Sequence, residues 1–132
     1  MVCPYCSNDS QVINSRHQKR PNNVWRRRKC IKCSAVWTSV ERPEYSTIWR
    51  VSHNGHLLDF MPETLLISLY EALRHKKSAN LDAKHICDTV IQKLASKHNA
   101  ILTTDQIKKT SYDILRRYDK VAAALYQATH TN

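Results

Sequence analysis

Trp25-Arg26-Arg27-Arg28-Lys29-Cys30-Ile31-Lys32-Cys33 is a run of four basic residues that ends on a Cys-x-x-Cys pair. A matching pair, Cys3-Pro4-Tyr5-Cys6, stands at the start of the chain, with residues 7–29 between them. A Cys-x-x-Cys turn brings two sulfurs near one point. Two such turns complete a tetrahedron, the arrangement Zn2+ prefers with thiolates at about 2.3 Å. Thiolates also suit iron, but four of them carried on two short turns fit structural zinc better. Cys3, Cys6, Cys30 and Cys33 are therefore read as the ligands of one Zn2+. Four protein ligands leave no position for water, so the site is structural and not catalytic. A redox dithiol would need only one pair, at a helix start.

The basic run reads as a strand from Val24 to Lys29, flanked by strands at Gln11–Ser15 and Val36–Glu41. The last of these is rich in β-branched and aromatic residues. Pro21-Asn22-Asn23 supplies turn chemistry between the first two. Side chains alternate along a strand, so Arg26 and Arg28 share one face and Arg27 and Lys29 the other. At least one pair must face outward. Arg16, on the neighbouring strand, can join it; the simplest phosphate-contacting set is Arg26, Arg28 and Arg16, with Arg27 or Lys29 as the other face. Basic side chains on a rigid ribbon contact phosphates, and Arg also reads guanine edges. Trp25, Trp37 and Tyr5 either stack on bases or form a miniature core. Arg42-Pro43-Glu44 closes the unit.

The whole chain has 132 residues and a net charge of +10, which favours an anionic partner, double-stranded DNA above all. Five cysteines are an odd number and argue against a disulfide framework. Cys87 stands alone among Ile86, Val90 and Ile91 and is read as buried packing. No apolar run approaches the ~20 residues needed to span a bilayer, and no signal peptide is recognisable. A cytoplasmic protein is expected.

Beyond residue 44 the composition changes. Thr47–Ser52 reads as a strand, Asn54-Gly55 as a tight turn and Leu57–Phe60 as the returning strand. Pro62 suits the first turn of a helix that carries Leu65, Leu66, Leu69, Ala72 and Leu73. A second helix spans about Asp82–Lys97, ending near Asn99. A third opens at Thr103, with Gln106 at capping-box spacing, and carries Ile107, Tyr112, Ile114, Leu115 and Tyr118. A last one holds Val121–Tyr126. The fold class is α+β: a small all-β zinc ribbon over 1–44, then a mostly helical domain with an N-terminal hairpin over 45–132.

The motifs Cys3-Pro4-Tyr5-Cys6, Val12-Ile13-Asn14-Ser15-Arg16, Arg26 to Cys33 and Trp37-Thr38-Ser39-Val40-Glu41-Arg42 resemble the NrdR family. In that family a zinc ribbon precedes an ATP-cone domain. The resemblance continues through Gly55, Phe60, Leu65-Leu66, Leu69, Ala72 and Asp119-Lys120-Val121-Ala122. It implies a transcriptional repressor of ribonucleotide reductase genes whose ribbon binds paired operator boxes. It also implies an ATP-cone that binds ATP and dATP and changes oligomeric state with the nucleotide, hence a homo-oligomer. This chain departs from the pattern in the cone. Ser52, His53, His56 and Leu57 replace basic residues of the hairpin, and Thr64 replaces a Lys. Ala123 and Leu125 stand where the family has an aromatic residue and an arginine. Arg50, His53 and His56 either partly substitute as nucleotide ligands or are solvated residues of a hairpin.

His17, His75, His85, His98 and His130 have no ligand spacing, and Lys108-Lys109 and Arg116-Arg117 read as solvated or as extending the basic surface. No Gly-rich phosphate loop, Ser/His/Asp set or spaced carboxylate pair is present, so no enzyme is expected. Two functions compete. One is a DNA-binding repressor with a regulatory cone. The other is a zinc-ribbon interaction protein whose degenerate cone only oligomerises or docks a partner. An enzyme fragment would need a catalytic domain that does not follow.

Overall fold

The computed structural model describes residues 1–131. The chain divides into two compact units, one over Met1–Pro43 and one from Glu44 onward. The boundary falls one residue before the expected one.

The first unit is a three-stranded antiparallel sheet in the order β1-β2-β3, with β1 Ser10–Gln18, β2 Asn23–Cys30 and β3 Val36–Glu41. The basic run is the central strand. Asn22, at φ 47°, turns the chain between β1 and β2. Val12 faces Arg28 while Asn14 faces Arg27, so Ile13 is the extra residue of a bulge. Beyond it Arg16 lies opposite Trp25. Among the described residues of this unit, only Cys3 and Cys30 are buried apolar side chains. A unit this small cannot bury enough surface to be stable alone. The cysteine cluster takes the place of a core.

The second unit opens with a four-residue helix, α1 Tyr45–Ile48, so the strand expected over Thr47–Ser52 starts only at Arg50. The aromatic residues around it are packing groups. Tyr45 stacks on Trp49 at 5.1 Å, and Trp49 meets Phe60 edge-on at 5.2 Å. Then come β4 Arg50–His53 and β5 His56–Asp59, joined at Asn54 and Gly55. Both have positive φ, 49° and 78°, as a two-residue hairpin turn of the right twist requires. A short strand absent from the sequence reading, β6 Ile101–Thr103, pairs parallel to β4 and gives the order β5-β4-β6. The helices are α2 Pro62–Leu73, α3 Ala79–Ala95, α4 Thr104–Tyr118 and α5 Lys120–Thr129. Leu69, Leu73, Val90, Leu94, Leu102 and Leu115 are completely buried between them. Cys87 is buried there too, its thiol directed at the Pro62 carbonyl at 3.8 Å.

Candidate metal centre and nucleic-acid interface

Two turns of the same construction carry the cysteines. Each Cys-x-x-Cys pair is followed by a serine in the left-handed region, Ser7 at φ 59° and Ser34 at φ 62°. The first turn is closed by Ser7 N–H donating to the Cys3 carbonyl at 2.9 Å, the second by Cys30 N–H donating to the Ala35 carbonyl at 2.9 Å. Backbone N–H groups of Tyr5, Lys32 and Cys33 donate to sulfur: the first to Cys3, the other two to Cys30, all at 3.4 Å. Such donors favour thiolate over thiol. The cue in the sequence, Cys-x-x-Cys-Ser twice, went unread.

The four Sγ atoms lie within 4.8 Å of one another. Cys3 and Cys33 are 3.7 Å apart, Cys6 and Cys30 3.5 Å. A tetrahedron with arms of about 2.3 Å has edges of about 3.8 Å, so the cage fits Zn2+. Ionisation points the same way. Hydrogen bonds donated by the Asn8 backbone N–H, and then by its side-chain amide, lower the Cys6 thiol to about 6. At Cys33 an Ala35 N–H lowers the pKa, but burial and the neighbouring sulfurs outweigh it and push it to about 12. Four thiolates at one point repel one another, and a divalent cation removes that repulsion.

The sheet sorts the basic residues by face. Arg26 and Arg28 are half-buried and tied to their neighbours. Arg26 donates to Glu41 Oε2 at 2.6 Å; Arg28 donates to Ser39 Oγ at 2.9 Å and Ser10 Oγ at 3.4 Å. Arg27 and Lys29 are exposed on the other face; Arg27 touches Thr38 Oγ1 at 3.1 Å. The register puts Arg16 with this second pair, its guanidinium 5.9 Å from the Trp25 ring centre. Arg16 therefore shares a face with Arg27 and Lys29 and not with Arg26 and Arg28, because the bulge at Ile13 shifts β1 by one residue. Trp25 and Trp37 are half-buried on opposite faces, and Tyr5 is 76% exposed.

In the second unit Arg50, His53 and His56 do not converge. Arg50 Nε pairs with Asp59 at 3.2 Å and its Nη2 donates to the Leu57 carbonyl. His53 and His56 face each other three residues further along, on the other side of the hairpin. His53 is 3.3 Å from Thr104 Oγ1. The sequence reading passed over a denser cluster around Asp119. His75 Nε2 lies 3.2 Å from that carboxylate and Lys76 3.7 Å, while Lys76 also reaches Asp82 and the Tyr118 hydroxyl. Its members lie far apart in sequence, so spacing gives no cue.

The family model described as "Transcriptional repressor NrdR-like, N-terminal domain" matches residues 1–41. A protein of Herminiimonas arsenicoxydans named "Transcriptional repressor NrdR" is 32% identical over 123 residues, 92% of this chain and 79% of that one. Proteins of the same name from Brucella anthropi and Chlamydia muridarum are each 29% identical. The first alignment covers all of this chain and 84% of the relative, the second 92% and 80%. The relatives extend over the helical unit as well as the ribbon.

Proposed function

This chain belongs to the NrdR family of transcriptional repressors, and from that premise we propose that it represses by binding double-stranded DNA through one face of its ribbon. The observation that carries this reading is the sorting of the basic strand. Arg16, Arg27 and Lys29 stand together on one face, while Arg26 and Arg28 are spent on Glu41, Ser39 and Ser10. The first set meets phosphates and base edges; the second braces the sheet. Zinc holds the strand end at Cys30, so the contacts are pre-organised. Ribonucleotide reductase genes are the target that the resemblance supports, and the cytoplasm is where such a repressor works. Residues 1–44 act as the DNA-binding domain and residues 45–132 as the domain that assembles copies of the chain.

ATP and dATP act weakly. A triphosphate needs cations and donors to offset its desolvation. Arg50 is engaged by Asp59 and lies on the other side of the hairpin from His53 and His56. That geometry favours a cone that assembles the protein without sensing nucleotide.

Anisotropy titration of a duplex against salt tests the ribbon. The three phosphate contacts of the ribbon contribute roughly −2.7 per protomer to the slope of log K against log salt. Arg27→Ala with Lys29→Ala should remove most binding and leave zinc content unchanged. Undiminished affinity in that double variant would move the interface off this face. Genome-wide mapping of bound DNA tests the target: sites away from reductase genes would refute it.

A further inference from the structure

Past residue 43 the chain carries twelve Lys and Arg against nine Asp and Glu, a surplus of three. A groove of about 480 Å³ between α3 and α4 is lined by Lys93, Lys97, Lys109 and Arg117, with Asp113 as its one carboxylate. The groove thus holds the whole surplus, and the rest of the unit is balanced. Part of that remainder is paired, three of its eight cations: Arg50 with Asp59, Arg74 with Glu71, Lys76 with Asp82 and Asp119. In the groove only Lys109 has an ionic partner among the described residues, Asp113 at 3.7 Å. Both are well exposed, and an exposed pair of this kind is worth at most ~1 kcal/mol and exchanges readily.

Helix ends explain part of this. Lys93 lies in the last turn of α3 and Arg117 in that of α4, where cations offset the dipole. Lys109 is mid-helix, and helix ends do not require cations from two helices to line one groove. The cations are strung out instead of converging on a point. Lys97 lies four positions past Lys93, just beyond the end of α3, and Lys109 and Arg117 lie about 12 Å apart along α4. Cations spread in this way suit an extended polyanion better than a compact one.

We propose that the α3–α4 groove is a second, sequence-independent contact to the phosphate backbone of DNA. This rests on the reading of the chain as a DNA-binding repressor. A contact on the same chain as the ribbon acts at high effective concentration, so a weak groove still adds affinity.

The test uses the full-length, zinc-loaded protein and its Lys93→Gln/Lys97→Gln/Arg117→Gln variant. Duplexes of operator and of scrambled sequence are titrated by anisotropy across a salt series. The expected result is a slope shallower by about 2.7, at ~0.9 per lost contact, with similar losses on both duplexes. Thermal melting and zinc content should not change. If the triple variant melts early, Lys97→Gln alone, beyond the end of α3, should shallow the slope by about 0.9. An unchanged slope overturns the proposal. So does a variant that loses binding of inorganic tripolyphosphate while its DNA slope stands, since the groove would then hold a small anion. A wild-type protein that binds neither duplex refutes the repressor reading itself and this contact with it.

Discussion

Asn8 shows how one side chain prepares the metal centre. Its Nδ2 donates to the Cys6 carbonyl at 2.9 Å and to Cys6 Sγ at 3.3 Å, fixing the turn and favouring thiolate together. Cys30 does more, because it ends the basic strand and accepts two backbone N–H bonds at its sulfur. Cys30→Ser should therefore abolish tight zinc binding and unfold the ribbon. The metal contributes on the order of 10–16 kcal/mol in small fingers, and the unit has no other core. Metal analysis with limited proteolysis checks this: residues 1–43 should become digestible while a fragment from about Glu44 onward persists. Zinc retained at one ion per chain would show that the fourth ligand is not Cys30. The ligands were legible because zinc chemistry dictates both residue type and spacing. The basic side chains proposed to meet DNA are legible only as a set. Alternation separates Arg26 and Arg28 from Arg27 and Lys29, but the side that Arg16 joins depends on the bulge at Ile13, and no local signal marks a bulge.

At the scale of elements, caps hold the helical unit. Thr103 accepts from Gln106 N–H at 3.1 Å while the Gln106 side chain accepts from Thr103 N–H at 3.0 Å, the reciprocal box that the sequence announced. Thr103→Ala should cost about 1 kcal/mol, read as a fall in the denaturation midpoint of the helical unit. Asp119 caps α5, accepting from Ala122 N–H at 2.9 Å. That bond, and then His75, hold its carboxyl below the ordinary 3.8 despite burial. A lowered native pKa binds fewer protons than the unfolded chain does near that value. Its stabilisation is thus complete above the ordinary value and is lost as pH falls through the lower native one. Asp119→Asn keeps an acceptor for the cap and removes the titration. The variant should show a weaker fall in stability on acidification below about pH 4 than the wild type, measured by denaturant melts at several pH values. Equal acid sensitivity would place the titrating group elsewhere. Helices with caps and apolar periodicity were readable, and α4 is the clearest case. The strand β6 and the turn α1 were not. Three residues carry no usable period, and the pairing of Ile101–Thr103 with β4 is a contact across about 50 positions.

For the molecule as a whole, two units of different construction should respond separately to different ligands. A strong chelator should abolish DNA binding and leave the helical unit's thermal transition in place, because that unit has its own core of buried leucines. Nucleotide should change neither. The cone keeps the apolar positions that make its fold, Leu65, Leu69, Leu73, Ile86, Val90 and Leu115, all buried. On the reading proposed above, it lacks the charged partners of a triphosphate. Losing two charge-assisted contacts, at ~1.5–3 kcal/mol each, weakens binding by more than a hundredfold. Arg50 cannot replace them without leaving Asp59 and the Leu57 carbonyl. His53 and His56 flank Asn54 and Gly55 at the tip of the hairpin, both exposed, with His53 against Thr104. Isothermal calorimetry should therefore find no binding of ATP or dATP tighter than the high micromolar range. Light scattering should find the same assembly with either nucleotide as without, and operator affinity should change less than threefold. Micromolar dATP binding, or a change of oligomer on adding it, would mean that the hairpin rearranges around the ligand and that Arg50 exchanges Asp59 for phosphate. An Asp59→Asn variant separates the two cases: freeing Arg50 should then raise dATP affinity only if Arg50 is the residue that recruits it.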